Sequence, residues 1–312
     1  MRHIPVMVPE VLHFLAPKSG GVYFDGTVGS AGHAEAILEA SSPDGRLIGC
    51  DRDPSQIEIA RARLARFANR VTLVQGSYER ADQIAASVNV DKLDGFLIDM
   101  GASMLQISPE GEVGRGRGFS WRRDEPLLMC YDPASERTAA RLLRELSEEE
   151  LRELFRQGLR PGEVGRVVRA IARRRRSEPI ETTGQLVEAL RTVFGPSGPK
   201  SDARIAAAFL ALRAATNLEL EGLAEGIETA VGLLRSGGVL TAISFHGTEV
   251  RVVLDAFGRL LGGPTGPPRL AGAPEQPARI EVLTGRGLAV SEAERRVNPA
   301  ARSARLHAVR KL

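Results

Sequence analysis

The sequence predicts an α/β fold: a parallel sheet with helices between its strands, interrupted by an all-helical insert. Three observations carry this. Residues 1–105 alternate short apolar runs with helix-patterned stretches. A glycine-rich turn, "DGTVGSAGH", joins the first of those runs to a helix. After residue 105 the alternation stops, and from Thr138 to about Phe194 the period is helical.

In chain order, "GVYFDGT" reads as a strand and "HAEAILEAS" as a helix. "GRLIGCDRD" and "PSQIEIARARLARF" form the next strand and helix, and "RVTLVQGSY", "ERADQIAASVN" and "LDGFLIDMG" complete four strands. Strands alternating with helices of about ten residues imply parallel pairing through right-handed crossovers. Unbroken apolar runs such as "FLI" suit strands covered on both faces. Residues 108–135, "SPEGEVGRGRGFSWRRDEPLLMCYDPAS", have no sustained period and read as a long functional loop. Ser147 with Glu150 is a capping-box signature opening "EEELRELFRQGL". "EVGRVVRAIARRRR" and "TTGQLVEALRTVF" continue as helices, "GPSGPKSD" breaks the chain, and "ARIAAAFLALRAATNLELEGLAEGIETAVGLL" resumes as long helix. "RSGGVLTAISFH" returns to turn and strand, and "TEVRVVLDAFGRLL" is a helix. "GGPTGPPRLAGAPEQPA" reads as a flexible connection, and "RIEVLTGRG" and "SARLHAVRKL" as a closing antiparallel pair. The expected division is a sheet domain in two parts, 1–105 and 206–312, around a loop and helical insert at 106–205.

The 312 residues carry a net charge of only +3, unevenly placed. Residues 286–312 hold seven basic and two acidic side chains, and basic charge also gathers in the middle segment. Such patches attract a polyanion such as RNA. No run of 18 or more apolar residues exists to span a membrane. His3, Pro5 and Pro9 interrupt the core that a secretion signal needs. Cys50 and Cys130 have no metal-type spacing and imply no disulfide framework, which fits a reducing, cytoplasmic setting.

Gly26, Gly29 and Gly32 give G-x-x-G-x-x-G, not the G-x-G-x-x-G of dinucleotide folds. A loop running into a helix N-terminus can still cradle an anionic or carboxylate group. Asp25, Asp51 and Asp99 each end a strand, at the edge where open α/β sheets bind ligands. Asp51 is placed to accept hydrogen bonds from ribose hydroxyls, a role shared by nicotinamide and S-adenosylmethionine enzymes. Tyr78 follows the third strand, where its ring can pack on adenine. An acid at the end of the fourth strand serves methyl transfer better than hydride transfer.

The blocks "HIPVMVPEVL", "DGTVGSAGHAEAIL", "IGCDRDPSQIEIA", "LDGFLIDMGASMLQI", "RGFSWRRDEPL", "ISFHGTEVRVV" and "NPAARSARL" occur in that order. Together they resemble the bacterial ribosomal RNA small-subunit methyltransferase H family, which methylates N4 of a cytosine in the decoding region. The resemblance covers nearly the whole chain. It implies a Rossmann-like S-adenosyl-L-methionine-dependent methyltransferase sheet with a helical substrate-recognition insert. It places the cofactor on Ala31, Gly32, His33, Asp51, Tyr78, Asp99 and Gln106. Small-subunit rRNA or the 30S subunit is the implied partner, with no metal, and a homodimer is left open. Departures from the family pattern are Leu128 in place of an acid, Cys130 in place of a base and Ala207 in place of an arginine, while Arg213 and Asn217 remain. The double serine after strand four is reduced to "GASMLQ". These departures leave open a diverged relative that binds the cofactor but methylates another nucleic acid, or a noncatalytic RNA-binding or assembly factor.

For the chemistry, Asp99 is the first candidate to accept an N–H of the cytosine amine, with a purely cofactor-binding role as its alternative. His246, ending "LTAISFH", is a candidate base or phosphate contact. Phe119 and Trp121, interleaved with Arg115, Arg117, Arg122 and Arg123, suit stacking on unpaired bases. Arg213 and Asn217 complete the expected RNA contacts, and "RRRR" at 173–176 is a candidate phosphate contact against a solvated helix end.

Overall fold

A computed structural model describes residues 4–101, 106, 113–264 and 275–312. Most of "GASMLQ", the start of the expected long loop and most of the Gly/Pro-rich connection lie outside the described residues. The chain divides into two compact units, Met1–Gly101 with Leu220–Leu312, and Ala102–Glu219.

The first unit is built on a sheet. Its strands are β1 (Val22–Asp25), β2 (Arg46–Asp51), β3 (Val71–Gln75), β4 (Leu93–Asp99), β5 (Leu234–Ser244), β6 (Ile280–Val282) and β7 (Arg305–Lys311). They lie in the order β3-β2-β1-β4-β5-β7-β6, and Leu288–Ala289 adds a short pairing to β7. The first five are parallel neighbours, and β7 runs antiparallel to β5 and β6. The expected parallel sheet with a closing antiparallel pair is therefore present. Between the strands run α2 (Gly32–Ala40), α3 (Pro54–Arg63) and α4 (Ala81–Ser87). Helix α1 (Val8–Leu15) precedes them all.

Every residue of β1 is buried because both faces are covered. Successive side chains point to opposite faces, so Tyr23 joins one core with Leu47, Leu97, Ile37 and Leu306. Its neighbour Phe24 joins the other, with Ile98, Leu240, Ile227 and Phe257. There it stacks on Phe96 with ring centroids 4.6 Å apart. Uninterrupted apolar strands are the sequence image of this double burial.

The second unit is helical among its described residues: α5 (Ala139–Glu145), α6 (Glu148–Arg156), α7 (Pro161–Ser177), α8 (Thr183–Phe194) and α9 (Pro199–Asn217). The Ser147–Glu150 capping box forms as read, Ser147 N–H donating to Glu150 at 2.8 Å and Glu150 N–H to Ser147 Oγ at 3.2 Å. Val164, Val167, Val168 and Ile171 recur at helical spacing and meet Phe155, Leu190 and Phe209 in one core.

One expectation changes. The long helix read from residue 203 onward breaks at Leu218, whose φ of 52° lies in the left-handed region. Helix α9 buries Ile205, Ala208 and Leu212 in the insert core. The following α10 (Glu219–Leu233) buries Leu223, Ile227 and Val231 in the sheet unit. The insert thus ends at Glu219, beyond the expected boundary at 205. Periodicity reports that a face is apolar but not which core receives it.

Candidate active site at the carboxyl edge of the sheet

Strand β1 lies between β2 and β4, so the strand order reverses beside it. A crevice opens at such a reversal, outside the carboxyl ends of the strands. Asp25, Asp51 and Asp99 end β1, β2 and β4 there. The chain leaves β1 through the glycine loop. Gly26 N–H donates to Leu97 O at 2.9 Å and Val28 N–H to Cys50 O at 2.9 Å, pinning the loop to both neighbouring strands. Ala31, with φ 61°, turns the chain into α2. Gly32 opens that helix against Pro5, whose ring carbons lie 2.8 Å from where a Cβ would sit.

The three acids sit in a field of like charge. Asp25 is buried and is pushed up to about 7 by that burial, against the pull of His33 and the Thr27 N–H. Asp99 is pushed up to about 7 by burial and by Glu249. Asp51 is pushed up to about 6 by burial, although it accepts N–H bonds from Asp53 at 2.9 Å and Gly29 at 3.0 Å. Among the described residues Asp99 Oδ1 is buried with no hydrogen-bond partner, and Ser77 Oγ, just after β3, shares that condition. Buried oxygens without partners are costly and mark places where a ligand completes the bonding.

His33 is buried on α2. Its Nε2 lies 2.8 Å from Val6 O, and its Nδ1 lies 3.6 Å from Asp99 Oδ2. Burial holds the imidazole below its usual value. Tyr78 is half-buried after β3, packed on Gly226 of α10. His246 caps α11 (Gly247–Leu260) at the end of β5, next to β4. The expected residues Ala31, Gly32, His33, Asp51, Tyr78 and Asp99 thus belong to one unit at one edge. Gln106 is buried in the second unit, where a Cβ on Gly114 would collide with its carbonyl oxygen.

Glu249, which the resemblance keeps in its "SFHGTEVR" block without a site role, stands at this edge. Its carboxylate accepts from the N–H groups of Phe245 at 2.6 Å and His246 at 3.0 Å, and it is the charge that acts on Asp99. The signal was present as His-x-x-Glu at the end of a strand, a cap pattern that here also places a buried acid at the edge.

In the second unit, the expected RNA contacts separate into two groups. Phe119 is buried and stacks on Tyr131 with centroids 5.7 Å apart. Arg213 forks onto Glu219 at 2.9 and 3.0 Å, and Tyr131 Oη donates to the same carboxylate at 2.9 Å. Asn217 donates to Met129 O at 2.7 Å and accepts from Tyr131 N–H at 2.9 Å. These three hold the post-β4 segment onto α9, and burial and mutual bonding occupy them in this structure. Trp121 is half-buried, the exposed Arg122 lies over its ring at 5.1 Å, and Arg123 sits 3.7 Å from Glu125. These three keep a surface face. In the arginine run, Arg174 pairs with Glu178 at 2.7 Å and Arg176 with Glu148 at 3.5 Å. Arg175 caps the carbonyls of Leu143 and Leu146 at 2.8 and 2.7 Å.

The family description "MraW methylase family" matches residues 1–312. The chain belongs to the MraW methylase family. Its relatives include a protein named "Ribosomal RNA small subunit methyltransferase H" from Geobacter sulfurreducens, 43% identical over 99% of both chains. A protein of the same name from Symbiobacterium thermophilum is 42% identical over 100% of this chain and 97% of its own. A third, from Geotalea daltonii, is 41% identical over 100% of this chain and 99% of its own. The expected S-adenosyl-L-methionine-dependent methyltransferase assignment holds for this MraW methylase.

The edge fits that donor. Several carboxyls raised toward neutrality form a site that a positively charged ligand relieves, and the donor's sulfonium carries such a charge. Among the described residues no cluster of histidine, cysteine and acidic side chains could hold a metal ion instead. No helix among them is long and apolar enough to cross a membrane.

Proposed function

We propose that this chain transfers a methyl group from S-adenosyl-L-methionine to N4 of a cytosine in the decoding region of small-subunit ribosomal RNA, in the cytoplasm. The observation that carries the reading is Asp99 Oδ1, a buried acceptor without a partner among the described residues, at the reversal of a methylase sheet. The donor supplies an electrophilic methyl group when bound. Asp51 accepts from the ribose hydroxyls, the ring of Tyr78 lies against adenine, and the backbone at Ala31, Gly32 and His33 forms the floor.

The exocyclic amine of cytosine is a weak nucleophile because its lone pair is delocalised into the ring. Asp99 accepts one of its N–H groups, which orients the amine and raises electron density on nitrogen as the new bond forms. The cytosine leaves its stack to reach the edge. Trp121 offers a stacking face, and Arg122 and Arg123 offer charge to the flanking strand. His246 ends the neighbouring strand, as a base or a phosphate contact.

The test is mass spectrometry of small-subunit rRNA from a strain lacking the gene, complemented with the wild-type chain or Asp99→Asn. One cytosine should lose its N4 methyl group in the deletion strain, regain it with wild type and not with the variant. Unchanged methylation in the deletion strain would sink the substrate assignment and favour the diverged relative.

A further inference from the structure

Behind Asp99 stands a histidine whose protonation pattern the structure sets. The carbonyl of Val6 can only accept, so the Nε2 atom 2.8 Å away carries the hydrogen. In the neutral ring, Nδ1 is then a bare lone pair, and it lies 3.6 Å from Asp99 Oδ2. A carboxylate facing a bare nitrogen leaves two acceptors opposed with nothing between them. One proton satisfies both once the two atoms close from 3.6 Å to hydrogen-bond distance.

The segment that supplies this carbonyl is held at both sides. Met7 N–H donates to Glu294 Oε1 at 2.9 Å, and Asn298 donates to Ile4 O at 3.3 Å. Pro5 packs against Gly32, directly before the histidine. The brace from α12 (Glu292–Val297) and Asn298 therefore fixes the Val6 carbonyl and, through it, the ring.

We infer that His33 is the proton-accepting partner of Asp99 in methyl transfer, with its receptive nitrogen selected by the carbonyl of Val6. This deepens the cytosine reading and rests on it. In the step, the amine lone pair forms the N–C bond while the S–C bond breaks and its electron pair stays on sulfur. The amine nitrogen then holds one proton too many. Asp99 takes that proton on Oδ1 and passes one from Oδ2 to His33 Nδ1. Asp99 ends as it began, and the imidazole becomes imidazolium. The positive charge lost at sulfur reappears on His33, so the acid cluster keeps a cation before and after the reaction.

The charged groups around the pair suit this direction. His33 is faced by Asp25 of β1, Asp99 of β4, Glu294 of α12 and Arg63 of α3. Asp25 and Glu294 favour the imidazolium, while burial and Arg63 oppose it, so the ring rests neutral and accepts a proton when one is delivered. Asp99 is pushed toward its protonated form first by burial and then by Glu249 of α11.

The experiment has two arms on the full chain. First, ¹⁵N NMR of the ligand-free protein should show His33 with hydrogen on Nε2 and not on Nδ1, and Asp99→Asn should lower its titration midpoint by about one unit or more. An Nδ1-H tautomer, or a midpoint unmoved by Asp99→Asn, would overturn the pairing. Second, single-turnover methylation of 30S subunits should slow by about 10²-fold or more in His33→Gln. The rate is read at saturating donor, so that a change in donor affinity does not enter it. The rise of the wild-type rate with pH, as His33 sheds its proton, should disappear in the variant. A variant that keeps the wild-type rate, or keeps the pH limb, would overturn the role. A wild-type chain that binds donor but leaves every cytosine unmodified would overturn the substrate reading instead, and the NMR arm would still decide the pair.

Discussion

The ring of Tyr78 fills the space that a side chain at Gly226 would need: a Cβ there would lie 2.3 Å from Cδ2 and 2.5 Å from Cε2. Gly226→Ala should therefore cost about 1–3 kcal/mol in urea denaturation, as overpacking does, and weaken donor binding by displacing Tyr78. Unchanged stability together with unchanged calorimetric affinity would remove Tyr78 from the adenine site.

Asp51 has a structural duty beside its expected ribose contact, since it anchors the N–H groups of Gly29 and Asp53. Asp51→Asn preserves an acceptor and removes the charge. Donor Kd should rise by about tenfold or more, near 1.4 kcal/mol, while the fold stays intact by circular dichroism. A Kd equal to wild type would show that the donor's hydroxyls lie elsewhere.

The raised acids make a prediction with a definite sign. Asp25 titrates at about 7 in the folded chain against an ordinary value of 3.8. The folded state thus binds more protons than the unfolded state between those values, and stability from this group is lost as pH rises from about 4 through 7. Asp25→Asn should melt higher than wild type at pH 8, with the advantage shrinking or reversing at pH 5. Calorimetric melts across that range check it, and a pH-independent difference would contradict the proton linkage. Donor binding should also tighten between pH 5.5 and 8, and binding of the uncharged demethylated product should tighten less.

Arg213 and Arg122 should part company. Arg213 is buried on Glu219, so Arg213→Ala leaves a half-buried carboxylate with the Tyr131 hydroxyl but no counter-charge and should cost about 3–5 kcal/mol. Arg122 is exposed, so Arg122→Ala should change stability by less than about 0.5 kcal/mol and weaken RNA binding with a shallower salt slope. Denaturation and filter binding on both variants separate the roles. Loss of RNA affinity without loss of stability in Arg213→Ala would support its reading as a substrate contact.

The sheet was legible because burial on both faces writes itself as unbroken apolar runs, and because acids at three strand ends share one edge by geometry alone. The capping box at Ser147 was equally local. What escaped depends on contacts distant in the chain. Nothing near Leu218 reveals that α9 and α10 serve different cores. Arg213 and Asn217 carry the same side chains whether they meet RNA or Tyr131 and Glu219, and only packing tells the cases apart. Glu249 was visible as a cap, but its charge matters because β5 lies beside β4. His33 stood in the resemblance as a cofactor contact, while the aim of its ring depends on a backbone carbonyl at residue 6.

The bond from Met7 to Glu294 spans 287 positions of sequence. A ribosome making this chain releases the glycine loop and all three strand-end acids long before the residues that hold Val6 in place. The edge can assemble its acids early, yet the imidazole receives its fixed carbonyl only after Glu294 and Asn298 have been made. A product truncated ahead of residue 294 would keep the glycine loop and the three acids but lack β7 as well as the brace, so the aim of the ring depends on residues made far later than the ring itself.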